Sequence, residues 1–419
     1  MLECPKVQQF QKYHGLNIIF YCRNYTSHRP VTSCSPRLTD FDTRAIFNEE
    51  HDNFRQKARQ FFNSLVANQR RWELQGKIET DVWRQLGNAG LLCVTIPKEY
   101  GAIGADFKTS VIVWEEQMYS NGVGTAFPIH SDIVGTYISD LGTKEQKERI
   151  LPKMVTGEMI GCIAMTEPQA GSDLQGIRTS AVKDGNDWIL NGSKVFISNG
   201  YLANVSLVVA ITDPNAKSLA HGISLFLVER GMEGYTRGQP LQKLGQKAVD
   251  TCELFFDDVR LPPSALLGQE HKGFYHLMQQ LPRERMLVGC LALAHSEYIF
   301  EQTRDFLKLN GSLFESQEIQ HKLAEFKTDI CVGRSFADQC IQLFEEGRLS
   351  SSSASMLKYW CTDLTNKIVN ECVQQHGQSG CMADNNVARA FVDSRIQSIY
   401  GGSNEIMKEL IARDIVSKK

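Results

Sequence analysis

Apolar residues recur at two different spacings along this chain, and the spacing changes twice. From about residue 47 to residue 156, they follow one another at intervals of three and four, as on the buried face of a helix. From about 159 to 268, short runs rich in Val, Ile, Leu and Phe alternate with Gly, Asn, Asp and Pro, which is typical of strands joined by turns. Helical spacing returns from about 273 to the end. The pattern therefore predicts helices, then strands, then helices.

Turn and capping residues predict where individual elements begin and end. Thr143 and Gln146 have the spacing of a capping box at a helix start. The pairs Asp184-Gly185 and Asn191-Gly192 are hairpin-type turns. We expect strand segments at 182–197, 205–212, 222–229 and 252–259, and long amphipathic helices at 273–309, 317–347, 350–376 and 385–414.

The expected fold class is α+β. It combines an N-terminal helical domain at 39–158, a middle β-barrel-like domain at 159–268 and a C-terminal four-helix bundle at 269–419. Residues 1–38 differ in character, because five Lys and Arg residues stand there against one acid, Glu3. A basic, acid-poor leader predicts a mitochondrial transit peptide and a location in the mitochondrial matrix. A weak secretory signal and an unstructured terminus are the alternatives.

Composition narrows the function classes. The chain has 419 residues, of which 42% are apolar and 22% charged, so a substantial core is expected. The net charge of −3 argues against nucleic acid as a partner. The 12 cysteines are scattered without a Cys-x-x-Cys pair, which favours free thiols over disulfides and predicts no metal site. No apolar run approaches the ~20 residues of a transmembrane segment.

The segment 164–176, AMTEPQAGSDLQG, is the first candidate for binding chemistry. Hydroxyls at Thr166 and Ser172 beside Gly171 let a backbone approach a ligand closely and offer it donors. An apolar run at 159–164 precedes the segment, so a strand is expected to position it. The alternative is an ordinary polar loop with an Asx turn.

A glutamate on an apolar helix face is the second candidate. Steps of three and four from Leu281 reach Glu284 and Arg285, which places both charges on the face predicted to be buried. A buried charge without a partner is expensive, so such residues are paired or functional. A structural ion pair within 283–285 is the alternative.

Four segments resemble the acyl-CoA dehydrogenase family, most closely its long-chain branch, and the resemblance covers residues 39–419. It implies FAD-dependent α,β-dehydrogenation of long-chain acyl-CoA to trans-2-enoyl-CoA, with electrons passed to electron-transferring flavoprotein. It also implies a homotetramer built as a dimer of dimers. The segments are TEPQAGSDLQGIRT at 166–179, LNGSKVFISNG at 190–200, AHGISLFLVE at 220–229 and NEIMKELIAR at 404–413.

The same resemblance implies the catalytic base. Most family members carry a Glu where this chain has Gly401, whereas the long-chain and isovaleryl branches place the base on the helix that contains Glu284. A missing carboxylate at one place and an unexpected one at the other fit together. The family polarises the thioester carbonyl with the ribityl 2′-hydroxyl of FAD and the main-chain N–H of the base.

The resemblance further assigns contacts with FAD and with acyl-CoA. For Phe196 the alternative is a core aromatic, and for Ser403 and Glu405 it is helix capping. The FAD contacts are Met165, Thr166, Gly171, Ser172, Phe196, Ser198, Gln374, Gly377, Ser403 and Glu405. The acyl-CoA contacts are Ser172, Leu281, Arg285, Gly401 and Gly402. Small residues at Gly122, Gly124 and Gly135 weakly indicate room for a long acyl chain.

Two departures from the family pattern fall on its inter-subunit FAD diphosphate site. The family's Arg-x-x-Phe-Gly is replaced by a shorter segment without Arg before Gln317. In the family's Gln-x-x-Gly-Gly-x-Gly, Gln378 replaces a Gly, and Cys381 replaces the following apolar residue. A non-catalytic relative with impaired FAD binding is therefore the main alternative. A peroxisomal acyl-CoA oxidase is a lesser one, because the C-terminus is not of the Ser-Lys-Leu type.

Overall fold

The structure is a computed structural model that describes residues 44–122 and 125–417, except the side chains of Leu219 and Ser312. The predicted leader at 1–38 and Gly124 lie outside the described residues.

Before residue 160 the described chain is helical, as the spacing predicts. The capping box is confirmed, since the Thr143 hydroxyl accepts from the Gln146 N–H at 3.2 Å and the Gln146 side chain accepts from the Thr143 N–H at 2.8 Å. A π-helical turn, Ile129–Val134, leads directly into α5. The α-helices are α1 (Glu49–Leu65), α2 (Gln69–Gln75), α3 (Thr80–Asn88), α4 (Phe107–Tyr119), α5 (Gly135–Leu141) and α6 (Lys144–Val155).

The middle region is one eight-stranded sheet. Its order is β6-β7-β3-β2-β4-β5-β8, with β1 paired to β4. The described end strands, β6 and β8, have only three and two residues and do not pair with each other, so the barrel-like domain is an open sheet. The strands are β1 (Gly161–Ala164), β2 (Ser180–Asp184), β3 (Asp187–Ile197), β4 (Val205–Ile211), β5 (Ile223–Glu229), β6 (Tyr235–Arg237), β7 (Cys252–Leu261) and β8 (Leu266–Leu267).

One predicted turn in this sheet is right and the other is wrong. Asp184-Gly185 lies at the β2–β3 hairpin, where Gly185 has a φ of 63°. Asn191-Gly192 instead lies inside β3, where the register to β7 shifts between Leu190 and Gly192. A Cβ on Gly192 would come within 2.5 Å of the Thr179 hydroxyl. The glycine therefore serves a bulge and a close backbone approach rather than a turn.

The C-terminal region is helical, and its first three long helices match their predicted ranges closely. The fourth predicted helix, 385–414, is wrong as a continuous element, because α11 ends at Ser394 and a 3₁₀ turn follows at Arg395–Ser398. Gly401 and Gly402, with φ values of 66° and 92°, then separate this turn from α12, since left-handed backbone cannot continue a helix. The observed helices are α7 (Gly273–Leu309), α8 (Gly311–Phe314), α9 (Gln317–Glu345), α10 (Ser351–His376), α11 (Asn386–Ser394) and α12 (Asn404–Ser417).

A buried network of charges joins the N-terminal helices to the C-terminal ones. Glu115 on α4 accepts from Arg334 on α9 at 2.7 Å, lies 2.9 Å from Arg55 on α1, and pairs with Arg44. Arg334 also lies 2.6 Å from Glu297 on α7. These contacts hold α4 against α7, the helix that carries the candidate base.

Two further expectations agree with the described residues. Every cysteine in them is a free thiol, most of them buried. No helix in 44–122 or 125–417 is long and apolar enough to cross a membrane.

Candidate active site

Glu284 lies in the interior of α7 with only 5% of its surface exposed. Leu281 and Leu277, one and two turns before it, are buried on the same face, and so is Arg285. The helical spacing therefore predicts this burial correctly. A carboxyl group in this position has lost nearly all contact with water.

The hydrogen-bond partner of Glu284 is a tyrosine. The Tyr137 hydroxyl, on α5, donates to Glu284 Oε1 at 3.1 Å. Burial raises the pKa of Glu284 to about 7, and the Tyr137 hydrogen bond and the charge of Arg285 oppose that rise. A carboxyl group with such a pKa can exchange a proton near neutral pH.

The two neighbouring arginines do not form an ion pair with Glu284 within the described part of the chain. Arg283 donates to Thr95 at 3.0 Å and lies 3.5 Å from Asp132. Arg285 donates to the hydroxyls of two serines at the start of α10, Ser351 at 2.8 Å and Ser355 at 3.3 Å. The alternative of a structural ion pair within 283–285 is therefore wrong.

Gly401 and Gly402 lie beside the same stretch of α7. A Cβ on Gly401 would stand 3.4 Å from Val288 Cγ2, one turn after Glu284. The buried Lys358 of α10 donates at 2.8 Å to both the Gly402 carbonyl and the Asn404 side chain. The glycine pair is thus fixed next to the predicted base, in a conformation that other residues rarely adopt.

A buried ion pair organises the loop at 164–176. Lys194 donates to Glu167 Oε1 at 2.8 Å and to the Met165 carbonyl at 3.0 Å. The Glu167 carboxylate also accepts from the main-chain N–H groups of Arg178 at 2.6 Å and Thr179 at 3.0 Å. With its interior held in this way, the loop leaves Gly171 and Ser172 exposed, and a Cβ on Gly171 would meet nothing within 4 Å.

Phe196 lies at the end of β3 close to this loop. The Val195 N–H donates to the Thr166 carbonyl at 2.9 Å, which joins loop and strand. Phe196 has a φ of 60° and 66% of its surface is exposed, so its interpretation as a core aromatic is wrong. Ser198, two residues on, is half-buried. An aromatic side chain held outward by unusual backbone fits a planar ring system as its partner.

The loop and Glu284 are connected through the N-terminal helices. The Gly161 N–H, at the start of β1, donates to His130 Nδ1 at 3.1 Å. His130 belongs to the π-helical turn that continues into α5 and Tyr137, and Tyr137 contacts Glu284. A series of contacts therefore links β1, the strand that leads into the loop, to Glu284.

The predicted contacts at the end of α10 lie elsewhere. Gln374 is exposed and follows Lys358 by sixteen residues, which corresponds to about 24 Å along a helix axis. Gly377 is exposed, with φ 57° and ψ −137°. The resemblance assigns this segment to the FAD of a neighbouring subunit.

Gln378 does not strain this segment. Among the described residues, Gln378 is not one of those with positive φ, and it is exposed, so the position does not require the glycine that the family carries. The segment without the family arginine contains α8, and Gln320 donates to the Phe314 carbonyl there at 3.0 Å. Ser403 accepts from the Ile406 N–H at 3.4 Å, which supports its role as a helix cap.

The two described glycines of the supposed acyl cavity do not open space. A Cβ on Gly122 would lie 2.7 Å from the Gln117 carbonyl, and one on Gly135 would lie 3.3 Å from Cys93 Sγ and from the His130 carbonyl. Protein atoms approach both positions closely, so a larger side chain would not fit there. They give no support to a long acyl chain.

Sequence reasoning missed four residues of this region. Tyr137, Glu167, Lys194 and Lys358 all make buried polar contacts there. Glu167 and Lys194 stand inside the segments singled out by their motifs, so their opposite charges were a usable signal. Tyr137 and Lys358 lie within ordinary helical patterns, where nothing local marks them.

Comparison with known proteins agrees with this geometry. Models of the N-terminal, middle and C-terminal domains of acyl-CoA dehydrogenase match residues 48–158, 162–259 and 271–416. The mitochondrial long-chain specific acyl-CoA dehydrogenase of Sus scrofa is 54% identical over 388 residues, which are 91% of this chain and 90% of that protein.

Solved structures show the same fold. An acyl-CoA dehydrogenase from Geobacillus kaustophilus superposes with a TM-score of 0.86 at 42% identity, covering 88% of this chain and 98% of that one. A glutaryl-CoA dehydrogenase from Mycobacterium smegmatis, in complex with FADH2, gives 0.84 at 28% identity, covering 91% and 98%. The chain therefore belongs to the acyl-CoA dehydrogenase family, whose members use a flavin cofactor. The exposed Phe196 and the braced loop with its open Gly171 fit such a group.

Proposed function

We propose that this protein is an FAD-dependent long-chain acyl-CoA dehydrogenase of the mitochondrial matrix, which converts acyl-CoA to trans-2-enoyl-CoA in fatty acid β-oxidation. Its electrons pass to electron-transferring flavoprotein, and it works as a homotetramer. The observation that carries the proposal is the buried Glu284 carboxyl, which binds the Tyr137 hydroxyl and lies on a helix that Gly401 approaches one turn later, at Val288. The 54% identity to a long-chain enzyme supports the choice of substrate class.

Glu284 acts as the base that takes the pro-R α-proton of the thioester. With a pKa of about 7, this carboxyl group is partly ionised at neutral pH and is more basic than an ordinary carboxylate. It can therefore accept a proton readily near neutral pH. Exclusion of water from its surroundings strengthens each electrostatic contact in the site. Leu281 and Arg285 lie next to it on the side of the acyl-CoA.

The α-proton is weakly acidic, so the chain must polarise the thioester carbonyl. Because Glu284 lies inside α7, its own main-chain N–H bonds within the helix and cannot be the donor that the family's other branches use. Gly401 stands where those branches carry their base. We therefore assign the donor to the main chain at Gly401 and Gly402, which Lys358 holds in place.

Bound FAD would supply the two-electron acceptor for the β-hydrogen. Phe196 and the backbone of the braced loop would orient it on the near side, with Ser198, Met165, Thr166, Gly171 and Ser172 in contact. Gln374, Gly377, Ser403 and Glu405 would serve its diphosphate and adenosine ends, the first two in a neighbouring subunit.

A non-catalytic relative is the second candidate function, because no arginine stands between α7 and Gln317. A cation lost from a diphosphate site weakens binding of an anionic cofactor. Such a protein would bind acyl-CoA through the same residues without retaining FAD. Gln378 lies exposed in unstrained backbone, so it does not distort this segment.

Flavin content followed by substrate bleaching separates the two candidates. We expect the protein purified from a host supplied with riboflavin to show a bound flavin spectrum that long-chain acyl-CoA bleaches under anaerobic conditions. Butyryl-CoA and isovaleryl-CoA serve as chain-length and branching controls. A protein that remains without flavin under added FAD refutes the enzyme, and flavin that bleaches only with the short or branched thioester refutes the long-chain assignment.

A further inference from the structure

Tyr137 and Glu284 form a buried polar pair between α5 and α7. The Tyr137 ring is fully buried on α5, and its hydroxyl donates to Glu284 Oε1 at 3.1 Å. The two residues are separated by 147 positions in the chain. Since Tyr137 comes from the N-terminal domain and Glu284 from the C-terminal one, their contact depends on how those helices pack.

We propose that Tyr137 is a positioning residue for Glu284, holding the carboxyl in one orientation and favouring its deprotonated form. The proposal rests on the proposed function only in taking Glu284 as the base. A rigid helix and a buried aromatic ring leave the hydroxyl little freedom, so the carboxyl that binds it is also restricted. The orientation of a base relative to its proton has a large effect on the rate.

The hydrogen bond also acts on the charge state. A carboxylate accepts a hydrogen bond more strongly than the protonated acid does, so a fixed donor stabilises the ionised form. Among the described residues, Arg285 on α7 itself is the charged group that acts on Glu284, and its hydrogen bonds go to Ser351 and Ser355 of α10. Lys358, also on α10, donates to Gly402 and Asn404. Tyr137 is therefore the donor that offsets part of the effect of burial on the pKa of Glu284.

The first test is the pH dependence of kcat/KM for Tyr137→Phe. This change removes the donor and keeps the ring, so we expect the acidic limb of the profile to move to higher pH by about one to two pH units. Tyr235→Phe is the matched control, because it removes a buried hydroxyl bonded to Ser206 at 2.8 Å in the β domain. The control should keep the native limb, whereas a Tyr137→Phe profile with the native limb overturns the proposal.

A second readout does not depend on turnover. The infrared carbonyl band of protonated Glu284, assigned by its loss in Glu284→Gln, can be titrated in the holoenzyme. In Tyr137→Phe the titration should move to higher pH by the same amount as the kinetic limb. If the infrared titration moves and the kinetic limb does not, the contact is real and Glu284 is not the base. If neither moves while Glu284→Gln is inactive, the base assignment stands and the role of Tyr137 is refuted.

Replacement by 3-fluorotyrosine at 137 covers the case in which Tyr137→Phe fails to fold. The more acidic phenol donates a stronger hydrogen bond, so the infrared titration of Glu284 should move to lower pH. An unchanged or upward-moved titration contradicts the proposal. Opposite shifts in the phenylalanine and fluorotyrosine proteins would not arise from a loss of packing.

Discussion

Two carboxyl groups, Glu115 on α4 and Glu284 on α7, are almost equally buried, yet the structure treats them in opposite ways. Glu115 is surrounded by three arginines, Arg44, Arg55 and Arg334, which hold its pKa far below the ordinary range. Within the described part of the chain, the hydrogen-bond donor to Glu284 is the uncharged Tyr137 hydroxyl, and burial raises the pKa of Glu284 to about 7. Burial alone therefore does not decide the charge of a carboxyl group, because its partners do.

The difference indicates that the two glutamates have different roles. Glu115 is permanently ionised, and its partners come from α1, from α9 and from the segment before α1, so it serves to hold these elements together. Ionised Glu284 destabilises the folded state because the carboxylate is buried. A buried carboxyl group with a raised pKa is typical of a reactive site. If this contrast is right, replacing each glutamate by glutamine should affect different properties of the protein.

Glu284→Gln should have the largest effect, a loss of turnover. The amide preserves shape but cannot accept the α-proton, so we expect kcat with long-chain acyl-CoA to fall by roughly 10²- to 10⁴-fold or more. Flavin content and the melting temperature near pH 5 should stay near the native values, measured on the same preparation. Turnover within a few-fold of native would remove Glu284 from the reaction.

Glu115→Gln should instead destabilise the fold. It leaves three buried guanidinium groups facing a neutral amide, and breaking a buried ion pair on one side costs about 3–5 kcal/mol. We expect a melting temperature lower by several degrees, with the turnover of the protein that remains folded little changed. Arg260→Met is the control, because Arg260 pairs with Asp184 and Asp187 on the surface, where ion pairs contribute little. Equal melting temperatures for the Glu115 variant and native protein would contradict a bracing role.

Much of the fold follows from local spacing, and the exceptions have identifiable causes. α7 was predictable in full because its apolar stripe continues across Pro282. The break before α12 was not predictable, because apolar residues keep their helical spacing across it. The backbone of Gly401 and Gly402 is nevertheless left-handed. Asn191-Gly192 has the local chemistry of a turn, but pairing with β7 on one side and the approach of Thr179 on the other hold it in a strand.

The site was predictable only where chemistry leaves a trace in sequence. Glu284 stood out because a charge interrupted an apolar face, and the loop stood out because hydroxyls and glycines crowded together. The sequence pattern does not reveal the partner of Glu284. An aromatic residue such as Tyr137 is ordinary on a buried helix face, and its contact with Glu284 joins residues 147 positions apart. Such contacts depend on how the domains pack, which no local pattern records.

The stability of the native protein and that of Glu284→Gln should depend differently on pH. The pKa of Glu284 is about 7 in the folded chain and near its ordinary value of 4.5 when unfolded. Between those values the folded state binds more protons than the unfolded state, so stability falls as pH rises. From pH 5 to pH 8 the native protein should lose about 2.5 kcal/mol relative to the glutamine variant, or a few degrees of melting temperature. A constant difference across this range would mean that Glu284 is not desolvated.

The smallest expected effect concerns Glu167, a third buried carboxyl that lies between the two extremes. Its described partners are one cation, two main-chain donors and the Gln169 side chain. Lys194→Met removes the cation, but the N–H groups of Arg178 and Thr179 still satisfy part of the carboxylate. The fold should therefore survive while the loop that presents Gly171 and Ser172 loosens. We expect flavin affinity, measured by fluorescence titration of the apoprotein, to fall about tenfold. An unchanged flavin affinity would show that the loop is fixed without Lys194. A fall in melting temperature as large as that of Glu115→Gln would show that Glu167 has a structural role like that of Glu115.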